Sequence, residues 1–164
     1  MSTNVRPIPE GYHSVSPSLT CRDAAAAIDF YKKVFGASEV MRMTGPGGKI
    51  MHAELKIGDS HVFLNDEVPG MASAPSPSAP IAVSIFVYTE DVDSVEKRAI
   101  AAGATSTMPV QDMFWGDRYG KFTDPFGHAW AVATHVEDVA PEDMERRQKE
   151  WMDQMAAKSK AAGH

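Results

Sequence analysis

The sequence predicts an α+β protein of two tandem βαβββ modules, whose curved mixed sheets surround a cleft, followed by a C-terminal helix. Two amphipathic helical segments each begin after an Asp and end at a Gly, and strand-like segments follow each in the same order. The second set begins 68 residues after the first, counted from Asp23 to Asp91. Recurrence at a fixed offset is typical of an internal repeat. A length of 164 residues fits one domain, 1–164.

The first strand is predicted over residues 13–21, where apolar and hydroxyl side chains alternate. Val15 and Leu19 would face the helices, and Ser16 would face the cleft together with the other serines of the strand. Because proline has no backbone N–H, Pro17 restricts this strand to an edge or another special position.

The rest of module one, predicted over about residues 11–66, is a helix and three strands. Asp23 caps the helix, Gly36 ends it, and strands follow at 38–44, 49–57 and 60–65. The middle strand alternates cleanly, and its core face is predicted to contain Met51, Ala53, Leu55 and Ile57.

A linker or mobile loop rich in Pro, Ser and Ala is predicted at about residues 67–80, before module two at about residues 81–135. The elements predicted for module two are a strand at 81–89, a helix from Asp91 to Gly103, an extended segment at 104–110 and strands at 121–124 and 128–134. An aromatic loop, MFWGDRYG, precedes the first of the last two strands, and a DPFG turn separates them.

A C-terminal helix is predicted over about residues 141–158, because Pro141 is followed by two acidic residues. Met144, Trp151 and Met155 form a narrow apolar seam on it. The seam would pack on the same chain or on a partner subunit.

Composition excludes several partners. The net charge of −6, without clustered Lys and Arg, argues against a nucleic-acid partner. No segment approaches the roughly 18 apolar residues that span a bilayer, and residues 1–10 lack the apolar core of a signal peptide. Cys21 is the only cysteine, and its place at the end of an apolar strand favours burial over reactivity. A cytoplasmic protein without a membrane partner is expected.

Three runs carry a family resemblance: IPEGYHSVSPSLTCRDAAAAIDFYKKVFGA, MHAELKIGDS and WGDRYGKFTDPFGHAWAVATHVEDV. With the tandem βαβββ order, they resemble the vicinal oxygen chelate superfamily of glyoxalases, bleomycin-resistance proteins and dioxygenases, and within it the PhnB-like branch. The resemblance implies barrel-like sheets around a cleft and a homodimer. Members of this branch carry no secure activity.

The resemblance also implies where a metal would bind, because metal-dependent relatives take ligands from the first and last strands of each module. The corresponding positions here are Ser16, Phe63, Ser84 and Ala131. None is a usual metal ligand, so no metal or other cofactor is expected at this place.

A second constellation could supply chemistry elsewhere. His52 and Glu54 lie two apart on one predicted strand, and His61 on the next strand could share their side. Such a set can hold zinc or act in acid–base catalysis. The alternative is an exposed polar face with an occasional ion pair.

The loop residues Trp115, Asp117 and Arg118 form the most unusual local cluster. They could close over the cleft, with Trp115 stacking on a planar ligand and Arg118 pairing with an anion. Alternatively, Asp117 and Arg118 pair with each other and Trp115 fills the core.

The favoured hypothesis is a metal-free protein that binds a small, planar or amphipathic molecule in a cleft lined by serines, Phe63, Phe86 and the Trp115 loop. A first alternative is a metal-dependent lyase, isomerase or dioxygenase that uses His52, Glu54 and His61. A second is a non-catalytic partner domain that assembles through its C-terminal helix. The catalytic residues, if any, and the ligand are not identified by the sequence.

Overall fold

Eight strands and three α-helices make up the computed structural model, which describes residues 5–79 and 81–163. The strands are β1 (Ser18–Cys21), β2 (Ser38–Thr44), β3 (Ile50–Ile57), β4 (Ser60–Asp66), β5 (Ser84–Tyr88), β6 (Thr105–Asp112), β7 (Asp117–Thr123) and β8 (Ala129–His135). The helices are α1 (Ala24–Phe35), α2 (Val92–Ala101) and α3 (Pro141–Ala162). Residues 1–4, at the start of the predicted domain, Pro80, at the end of the predicted linker, and His164 lie outside the described residues.

The two modules have the same sheet topology, which confirms the predicted fold class. Sheet one has the order β1-β4-β3-β2 and sheet two the order β5-β8-β7-β6, with only the first pair of each order parallel. Ser18 pairs with Phe63 in sheet one, and Phe86 pairs with Ala131 in sheet two. Both members of the second pair lie 68 residues after those of the first, so the repeat extends to strand register.

Each module fixes the first turn of its helix in two ways. The side chain of Asp23 accepts a hydrogen bond from Ala26 N at 3.0 Å, and Asp91 caps α2 in the same manner. The last strand of each module contributes a second acceptor: Asp66 Oδ1 accepts from the first amide of α1 at 2.8 Å, and Thr134 Oγ1 from the first amide of α2 at 2.9 Å. Two of the backbone donors that each helix leaves free at its start are thereby bonded, one to the capping Asp and one to the sheet.

Aromatic packing joins the modules between their helices. The ring centroids of Tyr31 on α1 and Trp130 on β8 lie 5.1 Å apart, and Phe35 lies 4.7 Å from Trp130. Arg98 on α2 donates to the carbonyl of Val34 near the end of α1, at 2.9 Å from Nη2. The helix-facing sides of both sheets therefore share one hydrophobic core.

The carboxyl group of Asp124 is the polar centre of that core. It is 4% exposed and accepts hydrogen bonds from Tyr31 Oη at 2.5 Å and from Trp130 Nε1 at 2.9 Å. Two backbone amides of the predicted DPFG turn, those of Phe126 and His128, also donate to it at 2.9 Å. The turn is thus the place where a side chain from module one is fixed to module two.

Cys21 is buried, as expected, and burial raises the pKa of its thiol to about 12. The thiol is therefore protonated and a poor nucleophile at neutral pH.

The predicted linker contacts both modules. The guanidinium of Arg22 donates to the carbonyl of Pro75 at 2.6 Å, and the ring of Pro75 lies against Gly127. At Gly127, whose φ is 91°, a Cβ atom would lie 2.9 Å from the Pro75 ring.

Two predictions about the core were wrong. Val15 is 86% exposed, because β1 begins only at Ser18 and the chain before Pro17 joins no strand. Met51 is 43% exposed, and Ile50 takes the core position, because the pairing of β2 and β3 shifts register beyond Met43.

The strand predicted at 121–124 is longer than expected. β7 begins at Asp117, so Asp117 and Arg118 belong to a strand and not to a loop. Helix α3 also extends beyond the predicted residue 158, to Ala162.

The backbone of Gly116 directs the chain from β8 towards α3. Its carbonyl accepts from Val136 N at 2.9 Å and from Glu137 N at 3.0 Å. A Cβ at Gly116 would lie 2.0 Å from the carbonyl oxygen of Glu137, so only glycine fits this crossing. In the part of the chain that is described, no helix has the length and apolarity needed to cross a membrane.

Replacement of Asp124 by Ala is expected to lower the free energy of unfolding by about 3 kcal/mol, because buried donors lose their acceptor. Urea unfolding followed by circular dichroism measures this. Asp112→Ala is the control, since Asp112 is an exposed partner of Arg118; it should cost less than about 1 kcal/mol. Equal losses in the two variants would contradict the central role of Asp124.

Candidate functional site

The inner face of each sheet, defined here as the face turned away from α1 and α2, collects most of the predicted site residues. Strand alternation places His61 and Phe63 on the inner face of β4, since Val62 and Leu64 are buried in the core. The same alternation places Ser84 and Phe86 on the inner face of β5. The sites predicted on separate elements therefore lie on two surfaces, one on the inner face of each sheet.

The first surface contains the tyrosine–histidine cluster, formed by Tyr12, His52, Glu54, His61 and Phe63. Glu54 is its centre: Oε1 lies 3.0 Å from His52 Nε2, and Oε2 accepts a hydrogen bond from the hydroxyl of Tyr12. The ring of Tyr12 stacks on His61, with centroids 4.0 Å apart and planes 22° from parallel. The structure thus brings the predicted His52, Glu54 and His61 to one surface and adds a tyrosine.

Electrostatics keep Glu54 ionised. The hydrogen bond from Tyr12 lowers the pKa of the Glu54 carboxyl, and the bond from His52 lowers it further. The same carboxylate raises the pKa of the Tyr12 hydroxyl. Glu54 is therefore a hydrogen-bond acceptor at neutral pH, and Tyr12 a donor.

His61 carries an unmet hydrogen-bonding group. The residue is 9% exposed, and its Nδ1 atom is buried without a partner. Buried polar atoms are nearly always hydrogen-bonded, so an orphan at a surface pocket needs an explanation.

The second surface contains the aspartate cluster, formed by Phe86, Tyr88, Trp115, Asp117, Tyr119 and His135. Asp117 is 2% exposed and is surrounded by donors. Its Oδ2 accepts from Trp115 Nε1 at 2.9 Å and from the Tyr88 hydroxyl at 3.1 Å, and its Oδ1 lies 2.7 Å from His135 Nδ1. The indole, phenol and imidazole are thus all oriented by one buried carboxyl group.

Aromatic rings extend from this cluster across the sheet. The ring centroid of Phe86 lies 5.7 Å from that of Tyr119 and 4.9 Å from that of Tyr88. Trp115 contacts Tyr119 edge-on, with ring centroids 5.4 Å apart. Phe86 is 47% exposed and Tyr88 63% exposed, so two of these rings offer open apolar surface.

Helix α3 covers part of the second surface. Trp151 packs beside Phe114, with ring centroids 5.7 Å apart, and against the small core formed by Met113, Tyr119, Ala131 and Ala133. Arg147 bonds Glu137 of the preceding segment at 2.6 Å. Trp151 of the predicted seam therefore packs on the same chain.

A pocket of about 380 Å³ lies where the start of β4 approaches β5. One wall is the β3–β4 turn with His61, and the other is residues 85–88 of β5. His13, Val15 and Pro17 of the segment before β1 close one side. The pocket therefore touches both clusters and is formed where the modules meet.

Arg118 lies away from this pocket. It points to the α2 side of β7, where it bonds Asp93 at 2.6 and 2.7 Å and Asp112 at 3.1 Å. Arg118 does not pair with Asp117 and does not line the pocket. Arg118 and Asp117 are neighbours on β7, and neighbouring strand residues face opposite sides of a sheet. Ser16 is half-buried just before β1, and Ser84 is exposed at the start of β5.

The residues implied as metal ligands do not fit a metal. Phe63 and Ala131 occupy equivalent inner-face positions, and neither has a donor atom. Ser16 and Ser84 offer only neutral hydroxyl groups. Within residues 5–79 and 81–163, no group of three or more His, Cys, Asp or Glu is arranged to hold a metal ion, and this includes the set of His52, Glu54 and His61.

Tyr12, Tyr88, Tyr119 and His135 were missed or undervalued as site residues. Tyr88 and Tyr119 share strand parity with Phe86 and Asp117, which is a signal that the sequence did carry. Tyr12 precedes every strand and has no periodic signal, so only the folded chain reveals its position.

The pKa of the His135 ring is expected to lie above its ordinary value, because Asp138 and Asp117 accept hydrogen bonds from the charged form. The resulting stabilisation is complete below the unfolded-state pKa of about 6.5 and is lost as the pH rises through the raised native pKa. An NMR titration of the ring measures that pKa, and Asp138→Asn should lower it. An unchanged value in Asp138→Asn would contradict this cause.

Known proteins share both sequence and fold with this chain. A family model described as the glyoxalase/bleomycin resistance protein/dioxygenase superfamily matches residues 13–132. An uncharacterised protein of Mycobacterium bovis is 42% identical over 149 residues, which cover 88% of this chain and 94% of that protein.

Two solved structures illustrate the likeness in fold. TioX from Micromonospora sp. ML1 is 29% identical with a TM-score of 0.59, over 75% of this chain and 100% of TioX. A PhnB protein of Bacillus cereus is 18% identical with a TM-score of 0.59, over 74% of this chain and 99% of that one, and is a likeness of fold alone. From the family match and the paired βαβββ modules, this chain belongs to the glyoxalase/bleomycin resistance protein/dioxygenase superfamily.

Proposed function

We propose that this chain is a metal-free small-molecule binding protein of the glyoxalase/bleomycin-resistance type. The observation that carries the proposal is the pocket of about 380 Å³ at the junction of the modules, lined by the rings of His61, Phe86 and Tyr88, in a fold whose implied metal positions hold Ser16, Phe63, Ser84 and Ala131. Pockets of this size, mostly apolar with a few fixed polar groups, are typical of small-molecule sites.

The pocket favours a planar or amphipathic ligand. Phe86 and Tyr88 present exposed rings on one wall, and His61 presents an aromatic, polar ring on the other. Stacking on such rings selects flat molecules, and the polar atoms orient them. Trp115, held by Asp117, extends the aromatic surface beyond Tyr119 and supports the same class of ligand.

The finer placement in the PhnB-like branch is part of the proposal. It is supported by three runs of sequence that resemble this branch and by the similar fold of the Bacillus cereus protein. The branch assignment adds no activity.

A cytoplasmic homodimer completes the proposal. The single, buried Cys21 suits a reducing compartment. The edge strand β2 exposes Val40, Met41 and Met43, which are 48%, 38% and 54% exposed, and a second copy would cover this apolar surface.

Thermal-shift titration against a panel of glycopeptide and aromatic antibiotics tests the binding function. At least one compound is expected to raise the melting temperature, because a ligand that binds only the folded state stabilises it. Phe86→Ser should then weaken that binding by about tenfold, through loss of an aromatic wall. Ile100→Ser is the matched control, since Ile100 on α2 is also 47% exposed but lies outside the pocket. No shift with any compound would count against the proposal.

A metal-dependent lyase, isomerase or dioxygenase is the second candidate, because His52, Glu54 and His61 do share one surface. In this structure one oxygen of Glu54 is bonded to Tyr12 and the other to His52, so both are already engaged.

Elemental analysis of protein purified without chelators separates the two candidates. Zinc, nickel, iron and manganese are each expected to be well below one equivalent per chain, because none of the implied ligand positions holds a His, Cys, Asp or Glu. A stoichiometric metal that is lost in His52→Ala would support the enzyme instead. The circular dichroism spectrum of His52→Ala should match that of wild type, so that a loss of metal reports on the site and not on unfolding.

A further inference from the structure

Tyr12 occupies the inner face of sheet one in the manner of a bound aromatic molecule. Its ring stacks on His61, lies 6.4 Å from Phe63, and directs its hydroxyl at Glu54. These contacts join residues that are 42 or more positions apart in the chain. Tyr12 therefore packs on the sheet without belonging to any of its strands. The sheet has, in effect, a site for a ring with a hydrogen-bond donor.

The segment that carries Tyr12 is held loosely. Val5, Ile8 and Val15 are 74%, 47% and 86% exposed. Over residues 5–16, the described backbone bonds comprise one local turn, from Tyr12 N to Pro9 O at 3.1 Å. The next backbone bond to the sheet comes at Pro17, whose carbonyl accepts from Phe63 N at 2.9 Å. The side chain of Tyr12 can therefore leave without disturbing a strand.

We infer that Tyr12 is a built-in stand-in for the ligand, and that the site beneath it binds neutral phenols and related aromatic molecules with a ring-borne O–H or N–H donor. The inference deepens the proposed function and rests on it. A ligand ring would replace that of Tyr12 over His61, and its donor would replace the Tyr12 hydroxyl at Glu54.

The charges of the site define this ligand class. Glu54 is ionised and can only accept hydrogen bonds, so a donor on the ring is favoured and an anionic ring substituent is disfavoured there. His61 Nδ1 has no partner in the structure with Tyr12 in place. A ligand with a second polar group beside its donor could satisfy this buried atom, which the single hydroxyl of tyrosine does not reach.

Removing the stand-in tests the inference with 4-methylphenol, which reproduces the tyrosine side chain. Tyr12→Ala should bind 4-methylphenol at least about tenfold more tightly than wild type, because the competing ring is gone. Tyr12→Phe keeps the ring but loses the bond to Glu54, so its affinity should fall between the two. Binding is followed by NMR through the ring resonances of His52 and His61.

Two controls make the result specific. 4-Methylanisole has no donor and should bind Tyr12→Ala about tenfold more weakly than 4-methylphenol does. Ile8→Ala removes an apolar side chain from the same segment, where Ile8 is 47% exposed and does not line the pocket. It should leave the affinity for 4-methylphenol at the wild-type level.

Equal affinities of wild type and a folded Tyr12→Ala for 4-methylphenol would overturn the inference. So would equal binding of 4-methylphenol and 4-methylanisole by Tyr12→Ala. If the antibiotic panel still gave stabilisation that depends on Phe86, either result would leave the proposed function standing. A gain of 4-methylphenol binding in Tyr12→Ala supports the inference whatever the panel shows.

Discussion

The hydrogen bonds around Asp124 fix how the two modules meet. Its carboxyl group binds the hydroxyl of Tyr31, which belongs to the helix of module one, and the indole of Trp130, which belongs to the last strand of module two. Tyr31 and Trp130 are also in ring contact, so the polar and apolar interactions act on the same pair of elements. The pocket between β4 and β5 depends on this junction, because no backbone ladder links the two sheets within residues 5–79 and 81–163.

The two modules share their backbone arrangement but differ in the residues of their inner faces. Strand register and the acceptor at each helix start agree between the modules at an offset of 68 residues. On the inner faces, in contrast, Phe63 corresponds to Ala131. Sheet one carries histidines around Glu54, whereas sheet two carries aromatic rings around Asp117. Residues on the helix-facing side of each sheet are constrained by burial in the core. Residues on the inner faces are not, so their side chains can differ between the modules.

Local signals in the sequence predicted the fold well. Capping aspartates, terminal glycines and strand alternation act within a few residues, so both helices of the repeat and β2 were correctly located. β1 and β7 were placed less well, because the start of a strand depends on its partner in the sheet. The prediction brought His52, Glu54 and His61 together by parity, but Tyr12 was missed because its partners are distant in sequence.

At Gly116, backbone hydrogen bonds set the direction in which the chain enters α3, independently of the side chains of α3. Two backbone bonds to Gly116 set the direction of the chain before the helix begins, and they involve no side chain of the helix. Substitutions of the exposed side chains of α3 therefore leave this crossing in place. Outside its contacts through Arg147 and Trp151, the helix can vary in sequence without a change in the backbone that leads to it.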